Sequence, residues 1–210
     1  GVTTYTGNGA SQTISGLNQT PDLVWIKDRD RTDSHCLTDS VRGDYFMLRS
    51  DLDNADNQYG NVGIHSLTNK GFSVNSGSAV NTNNSGYVAW TWKAGGNKNT
   101  FNVDDVGYAT ASAAGLTGGG YAVTGASVGT KQGFSIIQWE HDGTTGGYSM
   151  PHGLTQAPKF IITRNIDITS NWGSYHYNYD DGAGTYGLNL NSKSAASSQV
   201  GWWNNTGPTN

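Results

Sequence analysis

The sequence predicts an all-β protein made of two repeated units, and two observations carry this prediction. The chain has 30 Gly, many Asn, Ser and Thr, and a single glutamate, Glu140, which leaves few good helix formers. Its Tyr, Trp, Val and Thr are residues that favour strands. In addition, residues 15–30, SGLNQTPDLVWIKDRD, resemble residues 152–167, HGLTQAPKFIITRNID. A chain of 210 residues has room for two such units.

The two stretches align without a gap. Identical residues fall together in five pairs: Gly16 with Gly153, Leu17 with Leu154, Gln19 with Gln156, Pro21 with Pro158, and Asp30 with Asp167. Two further pairs are chemically related: Lys27 with Arg164, and Asp28 with Asn165. We therefore predict a first repeat over residues 1–96, a connector over 97–133 and a second repeat over 134–210.

Strand signals follow one another through the first repeat. VTTYTGNG predicts a hairpin, because Asn-Gly accepts a tight turn, and Pro21 fits the entry to a strand over Leu23–Lys27. Further strands are predicted at His35–Val41, Tyr45–Arg49, Val62–Leu67 and Gly71–Val74. This spacing, roughly one strand every ten residues, is typical of sandwiches and barrels.

The last strand of the first repeat, YVAWTWK at 87–93, alternates between two faces. Val88, Trp90 and Trp92 fall on one face, and Tyr87, Ala89, Thr91 and Lys93 on the other. Because tryptophan buries the most apolar area, we expect the tryptophan face to form core. AGG at 94–96 then ends the repeat.

The rest of the chain predicts a connector and an incomplete second repeat. Residues 97–133 are rich in Gly, Ala, Ser and Thr, which predicts a connector with a short hairpin. GFSIIQWE then takes the place of VTTYTGNG, and Tyr186–Ser192 resembles YFMLRS. The chain ends at Asn210 before any counterpart of GFSV or YVAWTWK. We expect the missing strands to come from a longer polypeptide or a neighbouring subunit.

Composition argues against several classes of partner. A net charge of −4 with 13% charged residues gives no basic surface for nucleic acid. No run of about 18 apolar residues is present, so membrane insertion is not predicted. The one cysteine, Cys36, cannot form an internal disulfide, and we expect a buried thiol.

The sequence predicts no enzyme, cofactor or metal centre. The acidic pair Glu140 and Asp142 has no counterpart in the first repeat, which argues against glycoside hydrolysis. The five histidines, His35, His65, His141, His152 and His176, show no metal-ligand spacing. No G-x-S-x-G motif occurs.

One acidic loop leaves calcium binding open. Asp51, Asp53 and Asp56 lie with Asn54 and Asn57 in SDLDNADNQYG, and calcium prefers such oxygen ligands. The spacing does not match an EF-hand, and Asp and Asn are ordinary turn residues. A polar turn between strands is the favoured interpretation.

Aromatic residues near the end of the chain give a candidate carbohydrate-binding site. Alternation in SYHYNYDD places Tyr175, Tyr177 and Tyr179 on one strand face, and Trp202 and Trp203 follow near a polar end. Such rings stack on sugars, combining apolar area with polar edges. The alternative, favoured because strands bury one side, is that the tyrosines form an inner or inter-subunit face.

Taken in order, these pieces resemble a known family. YTGNG, GL…PDLVWIKDR, DSVRG, GFSV and YVAWTWKAGG, then GFSIIQWE, HGL…APKFIITRN and WNNTGPT, are similar to the tandem repeat domain of virion structural proteins of tailed bacteriophages, such as tail fibre and other tail proteins. The resemblance spans nearly the whole chain. It implies two antiparallel β-sandwiches of the jelly-roll or concanavalin-like kind, the second incomplete, with no active site.

The resemblance also implies a role and a place. The chain is expected to be a non-enzymatic virion protein, exposed on the phage tail or head, with other virion proteins or identical subunits as partners. Host surface glycans are its candidate ligands. The alternative is a secreted or cell-surface carbohydrate-binding module of a polysaccharide-active protein.

Overall fold

The computed structural model describes residues 1–58, 62–141, 149–179, 182–198, 203 and 206–209. Strands make up 40% of it and helices 4%, so the all-β prediction is confirmed. The chain forms two compact units. Unit 1 comprises Gly1–Met47 with Asn57–Leu154, and unit 2 comprises Leu48–Asp56 with Thr155–Asn210.

The described residues of the first half of the chain form nine strands and one short helix. They are β1 (Val2–Thr6), β2 (Gln12–Ser15), β3 (Leu23–Asp28), β4 (Cys36–Asp39), β5 (Phe46–Arg49), β6 (Asn57–Gln58), β7 (Ile64–Thr68), β8 (Gly71–Val74), α1 (Ser78–Asn81) and β9 (Gly86–Trp92).

In the second half, the part of the chain that the structure describes adds eight strands and one 3-10 turn. They are β10 (Phe101–Val103), β11 (Val106–Tyr108), β12 (Ala122–Gly129), β13 (Phe134–Glu140), β14 (Phe160–Thr163), β15 (Gly173–His176), η1 (Tyr177–Tyr179), β16 (Tyr186–Asn189) and β17 (Ser197–Ser198).

The prediction of two jelly-roll or concanavalin-like sandwich repeats is wrong, because the described strands form four small sheets. One sheet has six strands in the order β1-β9-β3-β4-β5-β6, and another has three in the order β2-β8-β7. The other two sheets have four strands each. Their orders are β11-β10-β12-β13, here called the middle sheet, and β14-β15-β16-β17.

The middle sheet explains why the fold prediction failed. Residues 97–133, expected to be a connector with a short hairpin, contain the hairpin β10–β11 and the long strand β12. Ala126, Ser127 and Val128 of β12 are completely buried. Their small side chains allow the backbone of AGG to pack closely, since a side chain on Gly95 would collide with the carbonyl oxygens of Val128 and Asn102. Small-residue composition here indicates close packing rather than a loose linker.

The repeat seen in the sequence is present as a four-stranded meander. β3-β4-β5-β6 and β14-β15-β16-β17 each pair in chain order. The registers of the two meanders agree as well. In the first meander Leu23 is paired with Asp39, as Phe160 is with His176 in the second. Likewise, Phe46 is paired with Gln58 in the first meander and Tyr186 with Ser198 in the second.

Beside the meander the two copies differ. β9 pairs with β3 along its length, and β1 pairs with β9. In the second copy, β14 pairs only with β15 within the described ranges. β13, expected in the place of β1, pairs with β12 instead. Thus β3 is a central strand and β14 is an edge strand.

The core of unit 1 uses the face of β9 opposite to the predicted one. Tyr87 and Ala89 are completely buried, whereas Trp90 and Trp92 are only half-buried. Tyr87 can enter the core because its hydroxyl is satisfied there: it donates to the Ser78 carbonyl at 2.7 Å and accepts from the Thr82 N–H at 2.8 Å.

The core cluster draws on strands of both the six-stranded and three-stranded sheets. Its buried members are Ile14, Val24, Ile26, Cys36, Met47, Ile64, Phe72, Val74, Val80, Tyr87 and Ala89. The Cys36 thiol is therefore buried, as predicted.

The tryptophans gather on the other face of the six-stranded sheet. Trp25 of β3 lies 6.2 Å from Trp90 and 6.3 Å from Trp92, measured between ring centroids. Trp92 in turn stacks on Phe134 of β13 at 6.2 Å. These rings join the six-stranded sheet to the middle sheet within unit 1.

A buried carboxylate fixes β9 beside β3. Asp22, 2% exposed, directly precedes β3 and accepts hydrogen bonds from the N–H groups of Ala94 at 2.7 Å and Gly96 at 3.2 Å. It also accepts from the Lys93 ammonium at 3.2 Å. Burial lowers the pKa of Lys93, but hydrogen bonding to Asp105 and the charge of Asp22 outweigh it, so the pKa is raised overall.

Unit 2 is held together by a loop from the first meander. The Trp172 indole N–H donates to the carbonyls of Arg49 at 2.9 Å and Leu52 at 3.1 Å. The Arg164 guanidinium donates to the carbonyls of Leu52 and Asn54 and lies 5.0 Å from the Trp172 ring centroid. The segment 48–56 therefore serves unit 2 through its backbone carbonyls.

Replacing Tyr87 by alanine tests the corrected core face. We expect Tyr87→Ala to lower the free energy of unfolding by about 3–5 kcal/mol, because it removes a fully buried ring. Trp90→Ala should cost less than half as much, because Trp90 is only half-buried. Urea denaturation of both variants checks this, and an equal or larger loss for Trp90→Ala would contradict the assignment.

Replacing Asp22 by alanine tests the buried carboxylate. The change leaves two N–H groups and an ammonium without this acceptor, so we expect a loss of about 3 kcal/mol in the free energy of unfolding. Asp105→Ala is the matched control, because Asp105 is the second partner of Lys93 and its own side chain is 57% exposed. This change should lower the free energy of unfolding by about 1 kcal/mol or less. Losses of equal size in the two variants would show that Asp22 has no special role.

Candidate functional site

Exposed aromatic side chains concentrate in unit 2. Among the described residues, the exposed Phe, Tyr and Trp side chains are Phe160, Tyr177, Tyr179 and Tyr186, with 55%, 40%, 46% and 42% exposure. Three of them lie with the exposed ring of His176. We call Phe160, His176, Tyr177 and Tyr179 the aromatic patch.

Strand pairing places two members of the patch. β14 begins at Phe160 and β15 ends at His176, and these two residues pair directly. Their ring centroids lie 6.0 Å apart with planes at 61°. His176 also contacts Tyr179, at 5.8 Å and 74°. Such edge-to-face contacts hold exposed rings in a fixed arrangement.

A 3-10 turn places the two tyrosines. The Tyr177 N–H donates to the Lys159 carbonyl at 2.9 Å, and the Gly182 N–H donates to the Tyr177 carbonyl at 2.9 Å. Gly182 has a φ of +85°, and a side chain there would collide with the Tyr177 ring. The chain therefore leaves the strand after His176, and Tyr177 and Tyr179 both face solvent.

The patch combines apolar faces with polar groups. The Asn178 N–H donates to His176 Nδ1 at 3.2 Å, so the proton of the neutral imidazole lies on Nε2. The Lys159 ammonium lies 5.3 Å from the Tyr177 ring centroid, within cation–π range. Exposed ring faces, phenol hydroxyls, an imidazole and an ammonium together suit a ligand with C–H faces and hydroxyl groups, such as a sugar.

The tyrosines predicted from alternation do not share a strand face. Tyr175 is 1% exposed, and its ring contacts half-buried Trp203 at 5.6 Å between centroids. Tyr177 and Tyr179 are exposed, as the candidate site requires, but on the 3-10 turn. Trp202 lies outside the described residues. Tyr175 and Trp203 thus pack together, and the exposed patch contains two of the five predicted residues.

Sequence reasoning missed Phe160 and His176. Phe160 is the counterpart of Leu23 in the aligned repeat, and Lys159 is the counterpart of Asp22. A lysine in the place of a buried aspartate is the signal that marks this strand end as exposed. His176 carries no comparable signal, because its position depends on pairing with Phe160.

The acidic residues considered above are not members of the aromatic patch. In the loop of unit 2, the Asp53 carbonyl accepts from the Ser170 N–H, and the Asp56 N–H donates to the Ile166 carbonyl. Glu140 is exposed, and Asp142 lies outside the described residues. In the part of the chain that is described, no three His, Cys, Asp or Glu side chains are grouped to hold a metal ion.

The fold and the patch define an all-β protein with an exposed aromatic surface. The chain belongs to a family described as a domain of unknown function (DUF7483), whose sequence model matches residues 1–210. Neither a curated protein nor a solved structure matches the chain. No helix within the described ranges is long and apolar enough to cross a membrane.

Proposed function

We propose that this chain is a non-enzymatic structural protein of a bacteriophage virion, exposed on the tail or head, that contacts host surface glycans through the aromatic patch. The observation that carries the glycan part is the clustering of Phe160, His176, Tyr177 and Tyr179 at the surface of unit 2. The virion part is supported by the resemblance of the ordered repeat motifs to phage structural proteins.

The arrangement of the patch suits weak, repeated contacts with sugars. Tyr177 and Tyr179 lie two positions apart on a turn held by backbone hydrogen bonds, so little backbone freedom remains to be lost on binding. Their hydroxyls and His176 Nε2 offer donors at the rim of the apolar faces. A virion carries many copies of its structural proteins, and multivalent binding turns weak contacts into strong attachment.

Binding to bacterial lipopolysaccharide and capsular polysaccharide tests the glycan contact. Titration of the full chain with each purified polysaccharide should show binding, and Tyr179→Ala should weaken it about tenfold, equivalent to about 1.4 kcal/mol. The matched control is Ile168→Ala, an exposed apolar residue of unit 2 outside the patch. No binding by the wild-type chain, or equal weakening by Ile168→Ala, would contradict the glycan part.

Antibody labelling of purified phage particles tests the virion part separately. We expect gold-labelled antibody against this chain to decorate the tail or head surface. Unlabelled particles, with the chain recovered instead from the secreted fraction of a bacterial culture and still binding polysaccharide, would overturn the virion assignment. That result would favour the carbohydrate-binding module.

A further inference from the structure

The outer edge of β14 is unpaired within the described residues. The equivalent edge of β3, in the first copy of the meander, is paired with β9. In the first copy, β9 pairs antiparallel with β3: Trp92 lies opposite Leu23 at one end of the ladder, and Tyr87 lies opposite Asp28 at the other. In the second copy, β14 occupies the position of β3 and is the terminal strand of its sheet. Because the registers of the meanders agree, the outer edge of β14 has the backbone geometry that receives β9 in the first copy.

The composition of β14 suits pairing with another strand. Its sequence, FIIT, carries no charged residue and no proline, two of the features by which proteins protect an exposed edge. Phe160 is 55% exposed, and Ile161, Ile162 and Thr163 are half-buried. In the corresponding part of β3, Val24 and Ile26 are completely buried in the core cluster of unit 1.

The residue before each strand differs in charge. In the first copy Asp22 is paired with Lys93, the residue directly after β9. In the second copy the counterpart of Asp22 is Lys159, which is exposed. A strand followed by lysine, as β9 is, would bring two ammonium groups together at this point, whereas a strand followed by a carboxylate would form the reversed ion pair.

We propose that the outer edge of β14 binds a β-strand of a protein partner, antiparallel and in the register of β9, with an acidic residue at the position of Lys93. Main-chain hydrogen bonds supply the affinity, and Lys159 selects the partner by charge. The charge of Lys159 also discriminates against β9 of another copy of this chain, because Lys93 directly follows β9. The edge shares Phe160 and Lys159 with the aromatic patch, but the proposal depends on backbone pairing and on the charge of Lys159.

Two labelled peptides test the proposal on the full chain. One has the sequence of residues 85–95, SGYVAWTWKAG, and the other carries Lys93→Glu. Fluorescence anisotropy should show that the Glu peptide binds about threefold or more tightly than the Lys peptide at low salt. With a Lys159→Asp variant of the protein, this preference should reverse. The reversal separates charge selection at this position from a general affinity for apolar peptides.

Hydrogen exchange locates the binding. The Glu peptide should slow exchange of the amides of Phe160–Thr163, and a Glu peptide that also carries Trp90→Pro should not, because residue 90 directs its N–H toward β3 in the first copy and proline removes that donor. If neither the Lys peptide nor the Glu peptide slows exchange of the amides of Phe160–Thr163, the proposed docking edge is overturned. Equal affinities of the two peptides for the wild-type and Lys159→Asp proteins would overturn the acidic partner.

Discussion

The structure of unit 1 depends on the buried carboxylate of Asp22. An unpaired buried carboxylate is costly, so the chain must bring it donors, and it does so with Lys93 and the backbone of AGG directly after β9. This requirement sets the end of β9 against the start of β3. The register follows, with Trp92 opposite Leu23 and Tyr87 opposite Asp28.

The same carboxylate links the six-stranded sheet to the middle sheet. The Gly95 N–H donates to the Ser127 hydroxyl at 2.9 Å, and that hydroxyl donates to the Gly96 carbonyl at 2.8 Å. Ser127 lies on β12, whose neighbours Ala126 and Val128 are completely buried. Two sheets therefore meet at a short backbone segment held by hydrogen bonds, in addition to the contact between Trp92 and Phe134.

Unit 2 shows what happens when the carboxylate is absent. Lys159 replaces Asp22, the described residues supply no counterpart of β9, and β14 becomes an edge strand. Stability must come from elsewhere, and Trp172 and Arg164 provide it by binding the carbonyls of the 48–56 loop. The replacement of one charged residue thus accompanies both an open sheet edge and the exposed aromatic patch next to it.

The sequence predicted what depends on local patterns. Pro21, the aligned motifs and the strands near Leu23–Lys27 and Gly71–Val74 were found, because strand entry and repetition are visible in the chain itself. Alternation along β9 identified its two faces, but not that Tyr87 would find hydroxyl partners and enter the core. The strand β12 escaped because small residues give no apolar signal. Tyr175 and Tyr177 were separated by a turn after His176 that alternation alone cannot reveal.

The central claim is that β3, which follows Asp22, is a central strand and that β14, which follows Lys159, is an open edge. Native-state hydrogen exchange of the unliganded chain tests this claim most directly. The account predicts slow exchange at every amide along Leu23–Ile26, which β4 and β9 pair from both sides. Along Phe160–Thr163, amides directed at β15 should exchange slowly and the alternate ones much faster. Uniformly slow exchange across Phe160–Thr163, equal to that of β3, would contradict it.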